Sequence, residues 1–313
     1  MYIRQWVAGA LMLLSMATAA QHQPYQDIKL KQFPELQPRT LSSIDNKKPT
    51  YLKFWASWCK PCMEQMPHFE KTYQKYRDEL NVIAVNINMN EEAARIEEVI
   101  KRFDLHMPVW LDNEGALGVA LGLIGTPYSV LINPEGKVLY TTHESDAALD
   151  VRLAMLAEGK SGESGITAEP VSREQKKKLL EPWAQGEHLI FFTATWCDWY
   201  LADTRPEMAQ QCKSAQSDLN TLHKRLPDMP WHGVVNHLWT DEQALKEFTQ
   251  KYNLRIGFSI DTFGVLFNGF KVRDIPTLVW IKDGKIVMRI TDFENIDVVV
   301  DQLQATVKNN GES

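Results

Sequence analysis

Short apolar runs alternate with longer amphipathic stretches along the first half of this chain. Residues 51–55 form a largely apolar run that predicts a buried strand, and residues 63–80 have the pattern of a helix. Residues 81–86 predict a second central strand, residues 91–103 a further helix, and residues 28–41 a β-hairpin. Strands and helices joined by short connections indicate a mostly parallel or mixed sheet covered on both faces.

The second half of the chain repeats the landmarks of the first. An apolar run leads to a Trp-Cys pair at residues 58–59 and again at residues 196–197. An aspartate lies 15 residues before a proline in each half, and these pairs are Asp112 with Pro127 and Asp261 with Pro276. Matched spacing of this kind predicts a tandem duplication of one fold.

A change in composition separates the two halves. Residues 159–172 are rich in Gly, Ser and charged residues, which predicts a flexible linker. We therefore expect one domain over residues 23–158 and a second over residues 174–307. The chain has 313 residues, which is long for one hydrophobic core and sufficient for two.

Cys59 and Cys62 stand at the predicted junction between the strand and the helix of the first half. The first cysteine of a C-x-x-C at a helix start faces unpaired N–H groups and the positive end of the helix dipole, which favour the thiolate. The second cysteine, one turn further on, can attack a mixed disulfide and release the partner. The pair therefore predicts thiol–disulfide exchange.

A C-x-x-C pair has two other uses, as half of a zinc site or as a structural disulfide. Zinc needs two further ligands, and no second C-x-x-C or H-x₃₋₅-H follows at a suitable distance. A disulfide between residues three apart closes a small loop and stabilises the fold little. We therefore favour the exchange reaction and predict no metal site.

Residues 58–62, Trp-Cys-Lys-Pro-Cys, resemble the active site of the thioredoxin superfamily. Residues 107–112 and 125–137 resemble the TlpA/ResA branch of exported thiol–disulfide oxidoreductases, and this resemblance covers about residues 27–142. It implies an α/β protein of tandem thioredoxin-like folds, each a central mixed β-sheet flanked by helices.

The resemblance also implies roles for particular residues. Cys59 and Cys62 form the redox-active disulfide, and no other cofactor is implied. Pro127 is expected to be cis and to pack against this disulfide, and Thr126 to offer backbone hydrogen bonds to the substrate. Trp58 and Pro61 complete the implied substrate-binding surface.

The resemblance further implies a protein-disulfide reductase that receives electrons from a membrane thiol reductant. Its substrates would be protein disulfides, such as those of cytochrome c precursors or copper-site proteins. Three alternatives stay open: a disulfide oxidase or isomerase, a copper(I)-binding chaperone that uses Met66 with the two cysteines, and a redox-inert adaptor.

Two positions of the first half depart from the family pattern. Lys53 stands six residues before Cys59, where thioredoxins carry a buried aspartate. Gln65 stands where the TlpA/ResA branch commonly has a glutamate. We expect Lys53 to extend its amine to the surface. An amine held near the site would instead lower the cysteine pKa and favour a more oxidising protein.

The second half lacks the second cysteine, because Tyr200 stands where the first half has Cys62. An apolar stripe that includes Cys212 predicts one continuous helix after Cys197. On that helix the two cysteines lie roughly 20 Å apart, too far for a disulfide. We therefore expect Cys212 to be an inert core residue, unless a break in the helix returns it to Cys197.

Three interpretations of Cys197 remain: a relict in a partner-binding domain, a single-cysteine redox or docking site, or one end of an unusual disulfide. Apolar and aromatic residues around it predict an exposed patch suited to protein recognition. These residues are Trp196, Trp199, Tyr200, Ile275 and Pro276. The second domain is thus expected to bind substrate or partners, and a homodimer is possible.

Residues 1–20 have the pattern of a secretory signal. Arg4 precedes an apolar core at residues 6–17, and small residues follow at 17–20. This core is too short to span a bilayer, although an uncleaved anchor is an alternative. The formal net charge of −6 gives no reason to expect nucleic acid. We therefore expect a periplasmic or otherwise exported protein that is soluble after signal cleavage.

Overall fold

The computed structural model describes residues 23–160 and 169–311. The predicted secretory signal and most of the predicted linker lie outside these residues. The described chain contains two β-sheets, one of seven strands and one of five.

The first sheet is built around a fully buried central strand. Its strands are β1 (Leu30–Phe33), β2 (Gln37–Arg39), β3 (Thr50–Trp55), β4 (Asn81–Asn86), β5 (Val109–Leu111), β6 (Tyr128–Ile132) and β7 (Val138–Thr142). Their order is β2-β1-β5-β4-β3-β6-β7. Strand β3 pairs parallel with β4 and antiparallel with β6, so the sheet is mixed. All six residues of β3 are buried, as expected for a strand covered on both faces.

Helices cover this first sheet. They are α1 (Lys60–Tyr76), α2 (Ala93–Phe103), α3 (Ala116–Ala120) and α4 (Ala147–Ala157). Helix α1 begins directly after Cys59 and has a proline in its first turn, where a missing N–H costs no hydrogen bond. Its buried face includes Cys62, Met66 and Phe69, which recur at the spacing of one helix face.

The second sheet repeats part of the first. Its strands are β8 (Glu187–Thr193), β9 (Trp231–Asn236), β10 (Phe258–Asp261), β11 (Thr277–Lys282) and β12 (Lys285–Ile290). Their order, β10-β9-β8-β11-β12, matches β5-β4-β3-β6-β7, and β8 is again parallel to one neighbour and antiparallel to the other. The flanking helices are α5 (Arg173–Leu180), α6 (Cys197–Tyr200), α7 (Pro206–Arg225), α8 (Glu242–Lys251), α9 (Val265–Gly269) and α10 (Ile296–Gly311). The predicted fold class, two mixed sheets flanked by helices, is confirmed.

The predicted continuous helix after Cys197 is wrong. Helix α6 ends at Tyr200, and α7 begins at Pro206 after a turn over residues 201–205. A proline ring clashes with the carbonyl four residues earlier in a helix, and it restricts the residue before it to non-helical conformations. Arg205 accordingly has φ −146° and ψ 66°. The break lets α7 fold back across α6.

Candidate active site

Cys59 and Cys62 form a disulfide at the start of α1, with an S–S distance of 2.01 Å. Cys59 is the N-cap residue of this helix, and its Sγ accepts the Cys62 N–H at 3.2 Å. When the pair is reduced, this donor and the helix dipole stabilise negative charge on the Cys59 sulfur. The geometry therefore gives Cys59 the surroundings of a nucleophilic thiolate.

The loop before β6 contains the second element of the site. The Thr126–Pro127 peptide bond is cis, as the resemblance implied. His143 lies with Nδ1 2.7 Å from the Pro127 carbonyl oxygen, which ties this loop to the end of β7. The Thr126 hydroxyl is buried and has no hydrogen-bond partner among the described residues. Pro61, on α1, is half-buried.

The prediction that Lys53 extends to the surface is wrong. Its side chain is 0% exposed, because the amine finds three oxygen acceptors inside the fold. Nζ donates to Gln65 Oε1 at 2.6 Å, and it lies 3.1 Å from Ser145 Oγ and 3.3 Å from Ser129 Oγ. Burial lowers the pKa of Lys53 to about 7, an effect that the charge of Glu144 partly opposes. Lys53 thus holds Gln65, which lies one turn after Cys62 on α1.

The part of the chain that forms the second sheet packs against Trp58, next to the disulfide. Cys59 and Cys62 are both 0% exposed. The Trp58 ring stacks on Trp196 with centroids 5.2 Å apart, and the edges of Tyr200 and Trp239 complete this aromatic cluster. The aromatic surfaces beside the two Trp-Cys pairs therefore face each other.

This packing corrects the predicted exposed patch of the second domain. Trp196, Ile275 and Pro276 are buried, and Tyr200 is half-buried. Only the Trp199 side chain in this set is largely exposed, at 60%. The Ile275–Pro276 bond is cis, like its counterpart in the first domain. The patch is apolar as predicted, but the first domain occupies most of it.

Backbone hydrogen bonds cross between the domains in matched pairs. The Asn90 N–H donates to the Arg273 carbonyl at 2.9 Å, and the Trp239 N–H donates to the Ile124 carbonyl at 2.7 Å. Arg273 lies three residues before the cis Pro276, and Ile124 lies three residues before the cis Pro127. The Asn90 side chain also accepts the Ile275 N–H at 2.8 Å. The interface is therefore approximately twofold symmetric.

The turn between α6 and α7 adds contacts on one side of the Cys59 site. Thr204 Oγ1 donates to the Trp58 carbonyl at 3.0 Å, and an Arg205 Nη donates to Ser57 Oγ at 3.0 Å. Ser57 in turn donates its hydroxyl to the Glu91 carboxylate at 2.6 Å. Burial raises the pKa of Glu91, while the Ser57 hydrogen bonds and the Arg205 charge oppose this shift. No local sequence pattern predicted these contacts.

Cys197 and Cys212 also form a disulfide, with Cα atoms 6.0 Å apart. The prediction of two separate cysteines and an inert Cys212 is therefore wrong. The break before Pro206 brings α7 back to Cys197, as the alternative to the continuous helix required. Of the three interpretations of Cys197, the structure supports one end of an unusual disulfide.

Two further observations concern ligands and membranes. Among the described residues, no group of three or more His, Cys, Asp or Glu side chains is arranged to hold a metal ion. Within residues 23–160 and 169–311, none of the helices has both the length and the apolar character that a bilayer crossing requires.

Comparison with known proteins finds similarity over the first half of the chain. Residues 20–153 match the family model described as Redoxin. Thiol-disulfide oxidoreductase ResA of Bacillus thuringiensis is 35% identical over 92 residues, which are 29% of this chain and 53% of that protein. Sporulation thiol-disulfide oxidoreductase A of Bacillus subtilis is 35% identical over 99 residues, 31% of this chain and 60% of that protein.

The chain thus spans little more than half the length of these curated relatives. The crystal structure of StoA from Bacillus subtilis has 28% identity and a TM-score of 0.34, and the alignment covers 39% of this chain and 91% of that one. The similarity to Redoxin-type domains is therefore found over residues 20–153 of this chain.

Proposed function

We propose that this protein is a thiol–disulfide oxidoreductase that reduces protein disulfides through Cys59 and Cys62. The observation that carries the proposal is the Cys59–Cys62 disulfide at the start of α1, with the Cys62 N–H directed at the Cys59 sulfur. The names of the similar proteins, thiol-disulfide oxidoreductases, support the same reaction class.

In the proposed reaction, the Cys59 thiolate attacks one sulfur of a substrate disulfide. The substrate bond breaks, its other sulfur leaves as a thiolate that takes up a proton, and a mixed disulfide joins Cys59 to the substrate. Cys62 then attacks the Cys59 sulfur, forms the Cys59–Cys62 disulfide and releases the second substrate thiol. Two electrons and two protons pass to the substrate, and a membrane thiol reductant restores the dithiol.

The first domain supplies a surface to hold the substrate chain beside Cys59. We assign the backbone of Thr126 and Pro127 to guide that chain, and Trp58 and Pro61 to flank it. In the closed arrangement the second domain occupies this surface, so substrate binding requires the two domains to separate. Separation also uncovers the apolar surface at Trp196 and Ile275, which we propose as a second contact for substrate or partner.

We also propose that the protein works outside the cytoplasm, most directly in a periplasm, after removal of its predicted secretory signal. Four cysteines in two disulfides fit an oxidising compartment. A second candidate function is a disulfide oxidase or isomerase. The buried Lys53 favours it, because any positive charge that this amine carries favours a thiolate and hence the reduced protein.

A trapping experiment tests the proposed reaction. The reduced Cys62→Ser variant should form a stable mixed disulfide with insulin or another disulfide protein, because the resolving thiol is missing. Cys59→Ser should form none and should lose insulin reduction. Non-reducing electrophoresis with mass spectrometry identifies the adduct. Equal activity of Cys59→Ser and the wild type would contradict the proposal.

A further inference from the structure

The Cys197–Cys212 disulfide links the two ends of a loop whose residues contact Ser57 and Trp58, next to Cys59. We call residues 200–205 the cap segment. Its contacts with the first domain are the edge of the Tyr200 ring on Trp58, the Thr204 hydrogen bond to the Trp58 carbonyl, and the Arg205 hydrogen bond to Ser57. The disulfide joins the residues on either side of this segment, so it restricts the positions that the segment can adopt.

The surroundings of the Cys197 sulfur are polar, although they lie in the core. Gln216 and Thr193 are both fully buried. Gln216 Nε2 donates to Thr193 Oγ1 at 2.8 Å, and its other hydrogen is shared between the Ala194 carbonyl at 3.2 Å and Cys197 Sγ at 3.3 Å. Because Thr193 accepts from Gln216, its own hydroxyl hydrogen is free to point at Cys197 Sγ, 3.7 Å away. Gln216 Oε1 has no hydrogen-bond partner within the described chain.

These donors suit a sulfur that carries negative charge. A neutral disulfide sulfur is a weak hydrogen-bond acceptor, so it gains little from the Gln216 amide. Burying this amide costs free energy, because its Oε1 lacks a hydrogen-bond partner. A thiolate gains much more from the same two donors. The arrangement therefore favours Cys197 as the leaving sulfur when the disulfide is attacked.

We propose that Cys197–Cys212 is a second redox-active disulfide, and that its reduction releases the cap segment from the Cys59–Cys62 site. The second part of this inference rests on the proposed function of that site. Cys212 is as fully buried as Cys59, so a small dithiol reductant reaches it only while the cap segment is briefly displaced. One thiolate of that reductant then attacks Cys212 Sγ, the Cys197–Cys212 bond breaks, and Cys197 leaves as a thiolate beside Gln216. The second thiol of the reductant then displaces Cys212. The protein gains two electrons and two protons, and the reductant becomes a disulfide.

Release of the cap segment has a direct effect on access. Cys59 is fully buried in the closed arrangement, so a protein disulfide cannot reach it until the cover moves. A cavity of about 260 Å³ lies between part of the cap segment and the first half of the chain, and its lining includes Glu91, Thr204 and Arg205. Without the disulfide, the cap segment has more conformations available when it is open, and the open population rises.

The test follows each disulfide during reduction of the full-length protein by dithiothreitol. Samples are quenched with acid, alkylated and assigned by mass spectrometry. In the wild type, we expect Cys59–Cys62 reduction to lag behind Cys197–Cys212 reduction. In the Cys197→Ser/Cys212→Ser variant, Cys59–Cys62 should be reduced without a lag and about tenfold faster. The matched control is Gln210→Ala, an exposed change on α7 that should leave the wild-type rates.

Two results would overturn the inference. One is a Cys197–Cys212 bond that stays intact in the folded protein while Cys59–Cys62 is reduced. The other is an unchanged Cys59–Cys62 rate in a folded double-serine variant. If that variant does not fold, Thr204→Val/Arg205→Leu keeps the disulfide and should still speed Cys59–Cys62 reduction severalfold, and an unchanged rate there counts against the cap.

A separate variant tests the role assigned to Gln216. Gln216→Leu should move the midpoint of Cys197 alkylation to higher pH, whereas a purely structural glutamine would leave this midpoint unchanged. Neither the reduction rates of the two disulfides nor the alkylation midpoint of Cys197 depends on insulin reduction by Cys59 and Cys62. A failure of the redox-cap inference is therefore distinguishable from a failure of the proposed reductase activity.

Discussion

The buried Lys53 amine makes a quantitative prediction about stability and pH. In an unfolded chain the pKa of a lysine is about 10.4, whereas burial lowers the pKa of Lys53 to about 7 in the folded protein. Between these two values the unfolded state binds one more proton than the folded state. The free energy of unfolding therefore rises with pH by about 1.4 kcal/mol per unit, and this gain is lost as the pH falls to about 7.

The Lys53→Met variant removes this dependence. Its acceptors keep other partners, because Gln65 Oε1 also accepts from Ser145 and Ser129 Oγ also pairs with the Tyr51 hydroxyl. The variant should therefore be more stable than the wild type at pH 6. That advantage should shrink by about 3 kcal/mol between pH 7 and pH 9.5, from the slope of one proton.

Urea unfolding at several pH values measures the difference between the two proteins. All four cysteines are in disulfides, so thiol exchange does not disturb the measurement at high pH. Lys71→Met, on the exposed side of α1, is the matched control and should show no comparable slope against the wild type. A difference between Lys53→Met and wild type that changes by less than about 1 kcal/mol over this range would refute the buried amine.

Two further variants test separate contacts. Asp112→Ala removes a buried carboxylate that accepts the Gly118 N–H at 2.8 Å, and it should lower the free energy of unfolding by about 2–3 kcal/mol in urea titrations. A loss below about 0.5 kcal/mol would show that this cap on α3 contributes little. Asn90→Ala leaves the Ile275 N–H without its acceptor, and it should speed dithiothreitol reduction of Cys59–Cys62 about three- to tenfold. The exposed Gln74→Ala should leave that rate unchanged, and an equal rate in Asn90→Ala would argue against domain separation as the controlling step.

Local patterns were sufficient to predict the centre of the first domain. The apolar run of β3 and the helix start at Cys59 are both set by residues close in sequence. The matched spacing of the two halves likewise reflects a strand order that recurs in both sheets. These features depend on periodicity and capping, which a sequence displays directly.

The disulfide of the second domain was missed for a local reason. The apolar stripe on α7 is real, since Ala209, Cys212 and Ala215 are buried on one face. Periodicity reports the face of a helix, but it does not report where the helix begins. Pro206 was the available indication, because proline is favoured in a first turn and excluded from a helix interior.

The burial of Lys53 and of the second-domain patch could not be predicted from local sequence. The acceptors of Lys53 come from α1, β6 and residue 145, which only the folded chain brings together. The apolar surface around Trp196 has the same composition whether a partner or the first domain covers it. Its occupant depends on contacts between residues far apart in the chain, such as Trp58 with Trp196.

The reduction potential of Cys59–Cys62 distinguishes a disulfide reductant from a disulfide oxidase. The protein is equilibrated in glutathione or dithiothreitol redox buffers, and alkylation with mass spectrometry assigns each cysteine. We predict a reversible two-electron couple at Cys59–Cys62 with a potential at or below about −220 mV, in the range of disulfide reductants. A couple near about −120 mV would contradict the reductase and indicate an oxidase. A Cys59–Cys62 bond that no buffer reduces in the folded protein would contradict thiol–disulfide exchange altogether.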